Sequence, residues 1–177
     1  MTNALDEQIS NLMLDNIEKF IIEEYEDKYY NQVMILGIKL MLENTNNNNR
    51  QLILEDIPLC FSYNIHDFYC NDKNSKLWVL VNEGIVYGYI AVDIDEYEGI
   101  LNGIYLDRLL RGSGLATEML NKVKDFCKER NCKKIILEVP SYLPNGVKFY
   151  VNNGFEYSKS KMEYENTVKM LYYKYNI

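Results

Sequence analysis

The sequence predicts a mixed α/β fold, and two observations carry that prediction. Two β-rich runs, at 78–81 and 85–92, are joined by Asn82-Glu83-Gly84, which has the turn chemistry of a tight hairpin. Residues 99–139 then read as a strand, an amphipathic helix and a uniformly apolar strand, an order that makes a crossover between parallel strands. With 177 residues, 47% of them hydrophobic, the chain is long enough for one sizeable core and short for two full domains.

Periodicity defines the elements of the crossover and of the C-terminal region. Leu115, Met119 and Val123 recur on one face of the predicted crossover helix. Gly154 ends a shorter helix that follows a loop bracketed by prolines. The predicted strands are 99–106, 134–139, 155–162 and 168–175, and the predicted helices are 115–130 and 145–153.

Two further helices are predicted ahead of the sheet, at 4–24 and 29–42, from apolar residues at helical spacing. Residues 46–49 are consecutive asparagines without an apolar side chain to anchor them, which indicates an exposed linker. We therefore expect a helical extension over residues 1–45 and the main domain over residues 46–177. The apolar faces of the extension need a cover, either on the main domain or across a dimer.

The charge balance argues against nucleic acids and membrane surfaces as partners. The chain has 26 acidic and 19 basic residues, a net charge of -7, and its lysines and arginines are scattered. Both kinds of partner need a clustered positive surface. A cationic or amine-bearing partner suits this surface better, although the acidic excess also serves solubility alone.

Cysteine use and the N-terminal stretch favour a cytoplasmic protein without a metal site. The four cysteines form no C-x-x-C pair, and one histidine leaves too few ligands for zinc. We expect free thiols in a reducing compartment. The first 20 residues are acidic and lack a basic n-region, and no run approaches ~18 apolar residues, so neither a signal peptide nor a membrane span is expected.

The run Arg111-Gly112-Ser113-Gly114-Leu115-Ala116 lies at the junction between the third strand and the crossover helix. Glycines there let a ligand approach the backbone, and the unpaired N–H groups of a first helical turn attract anions, so the run predicts a phosphate site. It is not a P-loop, because no lysine follows Gly114, and it lacks the third glycine of a dinucleotide fingerprint. The same glycines also suit a tight turn that binds nothing.

Two motifs resemble the signatures of the GNAT superfamily of N-acetyltransferases. The first has the core [RQ]-x-x-G-x-[GA], which Arg111, Gly114 and Ala116 match. The second is matched by residues 145–155, which read NGVKFYVNNGF. The resemblance covers residues 77–175. It implies a mixed, strongly twisted sheet whose fourth and fifth strands splay apart around the pantetheine arm of acetyl-CoA.

The resemblance also implies roles for individual residues. The amide of Leu106 would polarise the thioester carbonyl, and Tyr150 would donate a proton to the departing CoA thiolate. Relatives often carry a general-base glutamate on the fourth strand; residues 100–103 hold none and the nearest acids lie just upstream, which leaves a water chain or a water held by Asn102 for this role. Asn145 is either a helix cap or a CoA contact. The residues implied to bind acetyl-CoA are Leu106, Arg111, Gly112, Ser113, Gly114, Leu115, Ala116, Asn145 and Tyr150.

The sequence therefore predicts an N-acetyltransferase that moves an acetyl group from acetyl-CoA directly to a primary amine, without a metal. The acceptor is open among a polyamine, an amino sugar, an amino acid and a protein amine. A non-catalytic acyl-CoA-binding regulatory module is the main alternative, because the strand glutamate is missing and the chain bears a helical extension. A helical interaction protein with a purely structural glycine loop is another. The end at 172–175 reads most simply as an alternating last strand; an acceptor cleft or a homodimer seam in this position is the alternative.

Overall fold

The computed structural model describes residues 8, 9, 11, 12, 16–45, 50, 69, 70, 72–163 and 168–177, which include seven strands, three α-helices with defined bounds and several shorter helical segments. The strands are β1 (Ile21–Glu24), β2 (Ser75–Asn82), β3 (Ile85–Asp95), β4 (Glu98–Leu106), β5 (Lys134–Pro140), β6 (Glu156–Glu163) and β7 (Val168–Asn176). The helices are α1 (Tyr30–Glu43), α2 (Leu115–Glu129) and α3 (Pro144–Asn152). None of the helices among these residues combines the length and apolar composition that crossing a membrane requires.

The strands form one mixed sheet in the order β1-β2-β3-β4-β5-β7-β6. Every neighbouring pair is antiparallel except β4 and β5, which run parallel. This confirms the predicted crossover, in which α2 connects β4 to β5. The β2–β3 hairpin also closes as predicted, because Glu83 and Gly84 have φ angles of 50° and 79°, the positive values that a tight hairpin turn needs.

One face of the sheet packs against α2 and α3. Met119, Leu120 and Val123 of α2 are fully buried in the cluster that forms there. Ile135 and Leu137 of β5 belong to the same cluster. Because side chains alternate along a strand, the residues between them point to the opposite face of the sheet.

The opposite face is covered by α1 over β2, β3 and β4. Val33 and Leu36 of the helix pack with Val79, Ala91 and Tyr105 of these strands. Among the described residues, β5, β6 and β7 contribute none of the buried members of this second cluster. Its apolar cover therefore stops at β4, which matters for the site described below.

The helix predicted over residues 4–24 is confirmed only in part, because residues 8, 9, 11 and 12 are helical whereas residues 21–24 are not. Ile21–Glu24 forms strand β1, which pairs with β2. Phe20, just before it, is 9% exposed and packs edge-on against Tyr87 with ring centroids 5.3 Å apart. The edge of β2 offers hydrogen-bond partners that helical periodicity does not register, so tertiary pairing overrides it. The helix predicted over 29–42 is confirmed as α1.

The elements predicted from residue 78 onward are confirmed, with small differences at their ends. Residues 1–7 and 46–49 lie outside the described residues. The division of the chain between residues 45 and 46 stays a prediction. β1 and α1 contribute to the same sheet and core as the later strands.

Gly99 allows a close approach between β4 and α2. A Cβ atom at this position would lie 2.5 Å from Sγ of Cys127, whose side chain has no exposure to solvent. We predict that Gly99→Ala lowers the free energy of unfolding by about 1–3 kcal/mol, as overpacking of a core does. Denaturant unfolding measures the change.

Gly103→Ala in the same strand is the matched control, because a Cβ there meets only Cε2 of Tyr89, at 3.8 Å. Adding Cys127→Ala to Gly99→Ala removes the obstructing sulfur and should recover most of the loss. Strictly additive effects of the two substitutions would contradict the steric explanation.

Candidate active site

β4 and β5 part soon after they begin. Their parallel ladder runs from Glu98 opposite Lys134 to Ile100 opposite Ile136 and then stops, although both strands continue beyond this point. The strands therefore diverge and leave a V-shaped opening between the later residues of β4 and of β5. We call this opening the strand gap, and it is the splay that the sequence resemblance implied.

The backbone amide of Leu106, at the end of β4, faces the strand gap. Asp107 N–H donates to the carbonyl oxygen of Tyr87 at 2.7 Å, so the backbone of Asp107 faces β3. Successive residues of a strand direct their amides to opposite sides, which turns the amide of Leu106 away from β3. Its carbonyl fits this orientation, because it accepts a 3.0 Å hydrogen bond from Nε of Arg111 instead of bonding to β3.

The loop from β4 to α2 adopts the left-handed conformation that glycine favours at two positions. Gly112 has a φ of 86° and Gly114 a φ of 92°. Gly114 is the residue immediately before the first turn of α2. At its other end the loop is fixed by Asp107, whose side chain accepts a hydrogen bond from the amide of Leu109 at 3.1 Å.

Alternate amides of this loop are available to a ligand. Within the described residues, the amides of Gly112, Gly114 and Ala116 have no hydrogen-bond partner. The amides that alternate with them are those of Arg111, Ser113 and Leu115. Each of these donates a 3.3 Å hydrogen bond to an oxygen of the loop. Three free donors around a helix N-terminus suit a pyrophosphate group. Phosphate binding by the run stays a prediction, and these three amides are the ones available for it.

The side chain of Arg111 is held by α1. Its Nη2 lies 2.5 Å from Oε2 of Glu43, while its Nε bonds the carbonyl of Leu106. The hydroxyl of Tyr105 donates to the other oxygen of Glu43 at 3.0 Å, and burial together with this carboxylate raises the pKa of Tyr105. One carboxylate of α1 therefore anchors both the end of β4 and the start of the loop.

Tyr150 lies on α3, in the core on the α2 side of the sheet. Its ring packs against Phe149 and Phe155, with centroids 5.3 and 5.7 Å away. Leu101 and Leu137, which flank the strand gap, belong to the same core. Burial raises the pKa of the phenol to about 12, so the hydroxyl keeps its proton at neutral pH.

A cavity of about 620 Å³ opens on the sheet face opposite α2. Asn102 and Glu138, which follow the last β4–β5 pair by two positions, both line it, so the cavity lies at the start of the strand gap. Tyr172 and Lys174 of β7 form another part of its lining. The C-terminal end thus occupies the position that the cleft interpretation predicted.

The two asparagines singled out by the sequence are both exposed. Asn102 lines the cavity and donates its side-chain amide to Oδ2 of Asp93 on β3. The other oxygen of that carboxylate is buried without a partner among the described groups. Asn145 is not the helix cap, because the cap position of α3 is Leu143, so that interpretation is wrong. Its contact with CoA stays a prediction.

Glu138 is the carboxylate that the sequence reasoning missed. It lies on β5 beside the strand gap, lines the cavity and is directly opposite Tyr172 in the β5–β7 ladder. Glu98 also lines the cavity, but Lys134 pairs with it at 2.7 Å. A charged residue inside the apolar run at 135–139 was the signal that pointed to Glu138.

Tyr172 connects Glu138 to a second carboxylate. Its hydroxyl donates to Oε1 of Glu163 at 2.6 Å, and this bond, burial and the nearby Glu138 all raise the pKa of Tyr172. The same hydrogen bond lowers the pKa of Glu163.

The described residues contain no group of three or more His, Cys, Asp or Glu side chains that could hold a metal ion.

Residues 39–155 match the family model described as the Acetyltransferase (GNAT) family, a span that is well over half of the chain. The chain belongs to this family of acetyltransferases. The predicted superfamily and the predicted mixed α/β sheet with flanking helices are thereby confirmed.

Known proteins similar to this chain include two curated relatives and many solved structures. An N-acetylaspartate synthetase from Xenopus tropicalis is 26% identical over 114 residues, which are 62% of this chain and 42% of that protein. A GNAT-family acetyltransferase from Staphylococcus aureus Mu50 has a TM-score of 0.69 at 22% identity, covering 89% of this chain and 98% of its own. An acetyltransferase from Bacillus anthracis, in complex with acetyl coenzyme A, has a TM-score of 0.60 at 18% identity, covering 64% and 68%. The chain spans less than half of the Xenopus relative's length, and the structural likenesses establish the fold.

Gly114→Val tests the phosphate assignment of the loop. The change puts a branched side chain at a φ of 92°, where the pyrophosphate is expected to approach. We predict at least a tenfold loss of acetyl-CoA affinity, or about 1.4 kcal/mol, in a calorimetric titration.

Gly84→Val is the matched control, because Gly84 has a φ of 79° and equally open surroundings in the β2–β3 turn. Both variants carry the strain of a left-handed valine and should lose similar stability. Only Gly114→Val should lose affinity, and an unchanged dissociation constant in that folded variant would remove the phosphate assignment.

Proposed function

We propose that this protein transfers the acetyl group of acetyl-CoA to the primary amine of a small acceptor that binds in the cavity. The observation that carries the proposal is that the cavity lies at the start of the strand gap, where Asn102 and Glu138 line it. The loop amides and the amide of Leu106 lie along the β4 side of the gap. Glu138 lies at its β5 side and lines the cavity. An acetyl group in the gap would be open to attack from the cavity.

Binding and activation of the thioester fall to backbone groups of this chain. The amides of Gly112, Gly114 and Ala116 would hold the pyrophosphate at the N-terminus of α2. The unpaired edge of β4 would bond the pantetheine arm. Leu106 N–H would donate to the thioester carbonyl oxygen and stabilise the negative charge that develops there as the amine attacks.

Glu138 and Tyr150 would handle the two protons of the reaction. As the carbon–nitrogen bond forms and the carbon–sulfur bond breaks, Glu138 would accept the proton that the amine gives up. Tyr150 would donate its own proton to the departing sulfur, and exchange with water would restore both groups. Glu138 suits the first role better than Glu98, because Glu98 is held by Lys134.

These observations bear on two questions left open by the sequence, whether the protein is a regulatory module and which kind of amine it acetylates. The regulatory-module hypothesis rested on the missing strand glutamate, and Glu138 supplies a carboxylate beside the gap from the neighbouring strand. Among the acceptors, the name of the Xenopus relative, an N-acetylaspartate synthetase, supports an amino acid. We also propose a cytoplasmic location, which the free thiols of Cys70, Cys127 and Cys132 support.

Thermal shift with acetyl-CoA, followed by release of CoA thiol in the presence of an amine panel, tests the proposed function. We expect stabilisation by acetyl-CoA and amine-dependent thiol release. Binding without turnover across the panel would favour the regulatory module. Absence of binding would leave the glycine loop with a structural role only.

Tyr150→Phe should separate chemistry from binding. The change keeps the buried ring and removes the hydroxyl, so acetyl-CoA affinity should change little while turnover falls about 10²-fold or more. Because the pKa of Tyr150 is raised to about 12, the wild-type rate should show no loss attributable to this group up to about pH 10.

Tyr97→Phe is the control, because Tyr97 is 58% exposed in the β3–β4 turn. Pre-steady-state measurements must establish that acyl transfer limits the rate in the wild type. Near wild-type turnover of Tyr150→Phe under that condition would mean that water or another group protonates the thiolate.

A further inference from the structure

The charges that line the cavity contrast with the acidity of the whole chain. The net charge of the protein is -7. Within the described residues, however, the lining contains more lysines than carboxylates, namely Lys134, Lys159 and Lys174 against Glu98 and Glu138. Lys134 and Glu98 neutralise each other at 2.7 Å, and what remains is one carboxylate and two lysines.

Lys174 is the less exposed of the two lining lysines that lack a counterion among the described residues. It lies on β7, is only partly exposed, and stands opposite Ile136 on one side and Glu156 on the other. Glu156 is exposed on the edge strand and does not come within ion-pair distance of it. Lys159 differs, because its ammonium group lies over the ring of Tyr172 at 5.0 Å from the centroid.

The register places Lys174 at a defined distance from the strand gap. Glu138 pairs with Tyr172 in the row beside the gap, and Ile136 pairs with Lys174 in the row two residues along. Two residues of a strand span about 7 Å. Both side chains face the same cavity, so one small molecule can reach the carboxylate with one end and the ammonium group with the other.

A partly buried lysine without a counterion favours an anionic group on whatever fills the cavity. A volume of about 620 Å³ suits a small molecule. The acceptor must also carry the amine that receives the acetyl group, beside Glu138 and the gap. A polyamine would bring further positive charge toward Lys174 and is disfavoured.

We propose that the acceptor is an amino acid or a similar small molecule with a carboxylate next to its amine, and that Lys174 binds this carboxylate. The inference rests on the proposed transferase function and adds the substrate class and the specificity-determining residue. Lys174 acts in binding and orientation of the acceptor. It takes no part in the proton transfers assigned to Glu138 and Tyr150.

Matched substrates test the requirement for a carboxylate. Thiol release is measured with the common amino acids and with the corresponding amines that have lost every carboxylate. We expect kcat/KM for the best amino acid to exceed that for its matched amine by at least tenfold, the effect of one charge-assisted hydrogen bond.

Lys174→Met then tests the assignment of the residue, because methionine retains an unbranched chain and loses the charge. It should lower kcat/KM for the amino acid at least tenfold, mainly through KM, and leave both the matched amine and the KM for acetyl-CoA unchanged. Lys169→Met is the control, since Lys169 lies on the same strand, is exposed and is not part of the cavity lining. It should behave as the wild type.

The outcomes separate this inference from the function on which it rests. Turnover of amines without a carboxylate as efficient as that of amino acids overturns the acceptor class and leaves the transferase function standing. A preference for amino acids that Lys174→Met retains overturns the role of Lys174. Calorimetric binding of acetyl-CoA without turnover of any member of the panel rejects the transferase function, and the acceptor assignment with it.

Discussion

The divergence of β4 from β5 is the constraint on which the rest of the site depends. The parallel ladder stops after Ile100 opposite Ile136. On the other side of β4, the register with β3 shifts between Ala91 and Val92, which leaves Asn102 as an extra residue. A bulge of this kind bends its strand and increases its twist. β4 therefore turns away from β5 within two residues of the last paired position, and the bend creates the strand gap.

A strand edge that loses its neighbour has backbone groups that need new partners. At Leu106 the carbonyl finds one in Arg111, whereas the amide is left for a ligand. Glu43 of α1 fixes this arrangement, because it bonds both Arg111 and Tyr105. The helix that covers one face of the sheet thus sets the geometry of the loop that begins α2. Tyr150 in the core and Glu138 in the cavity lie on opposite faces of the sheet, so one ligand can contact both only through an opening in the sheet.

Much of this architecture was predictable, because its signals are local. Asn82-Glu83-Gly84 identified the hairpin, and the glycine run located the loop that begins α2, where phosphate binding stays a prediction. The features that were not predicted depend on strand register and on contacts between residues distant in sequence. β1 was predicted as helix, since its pairing with β2 joins segments more than 50 residues apart. Glu138 was overlooked because the face to which a strand residue points is fixed by pairing with β4 and β7, which the sequence does not state. No sequence pattern predicts the role of Glu43, because its partner Arg111 lies 68 positions away in the chain.

Amide chemical shifts of the ¹⁵N-labelled protein, followed by NMR during separate titrations with pantetheine, CoA and acetyl-CoA, test the central claim most directly. If the loop holds the pyrophosphate, the amides of Gly112, Gly114 and Ala116 will shift with CoA and acetyl-CoA and stay in place with pantetheine, which lacks that group. If Leu106 bonds the thioester carbonyl, its amide will shift further with acetyl-CoA than with CoA, while the amide of Gly84 in the remote hairpin turn remains fixed. Loop amides that do not respond to saturating CoA, or a Leu106 amide indifferent to the acetyl group, would contradict the account.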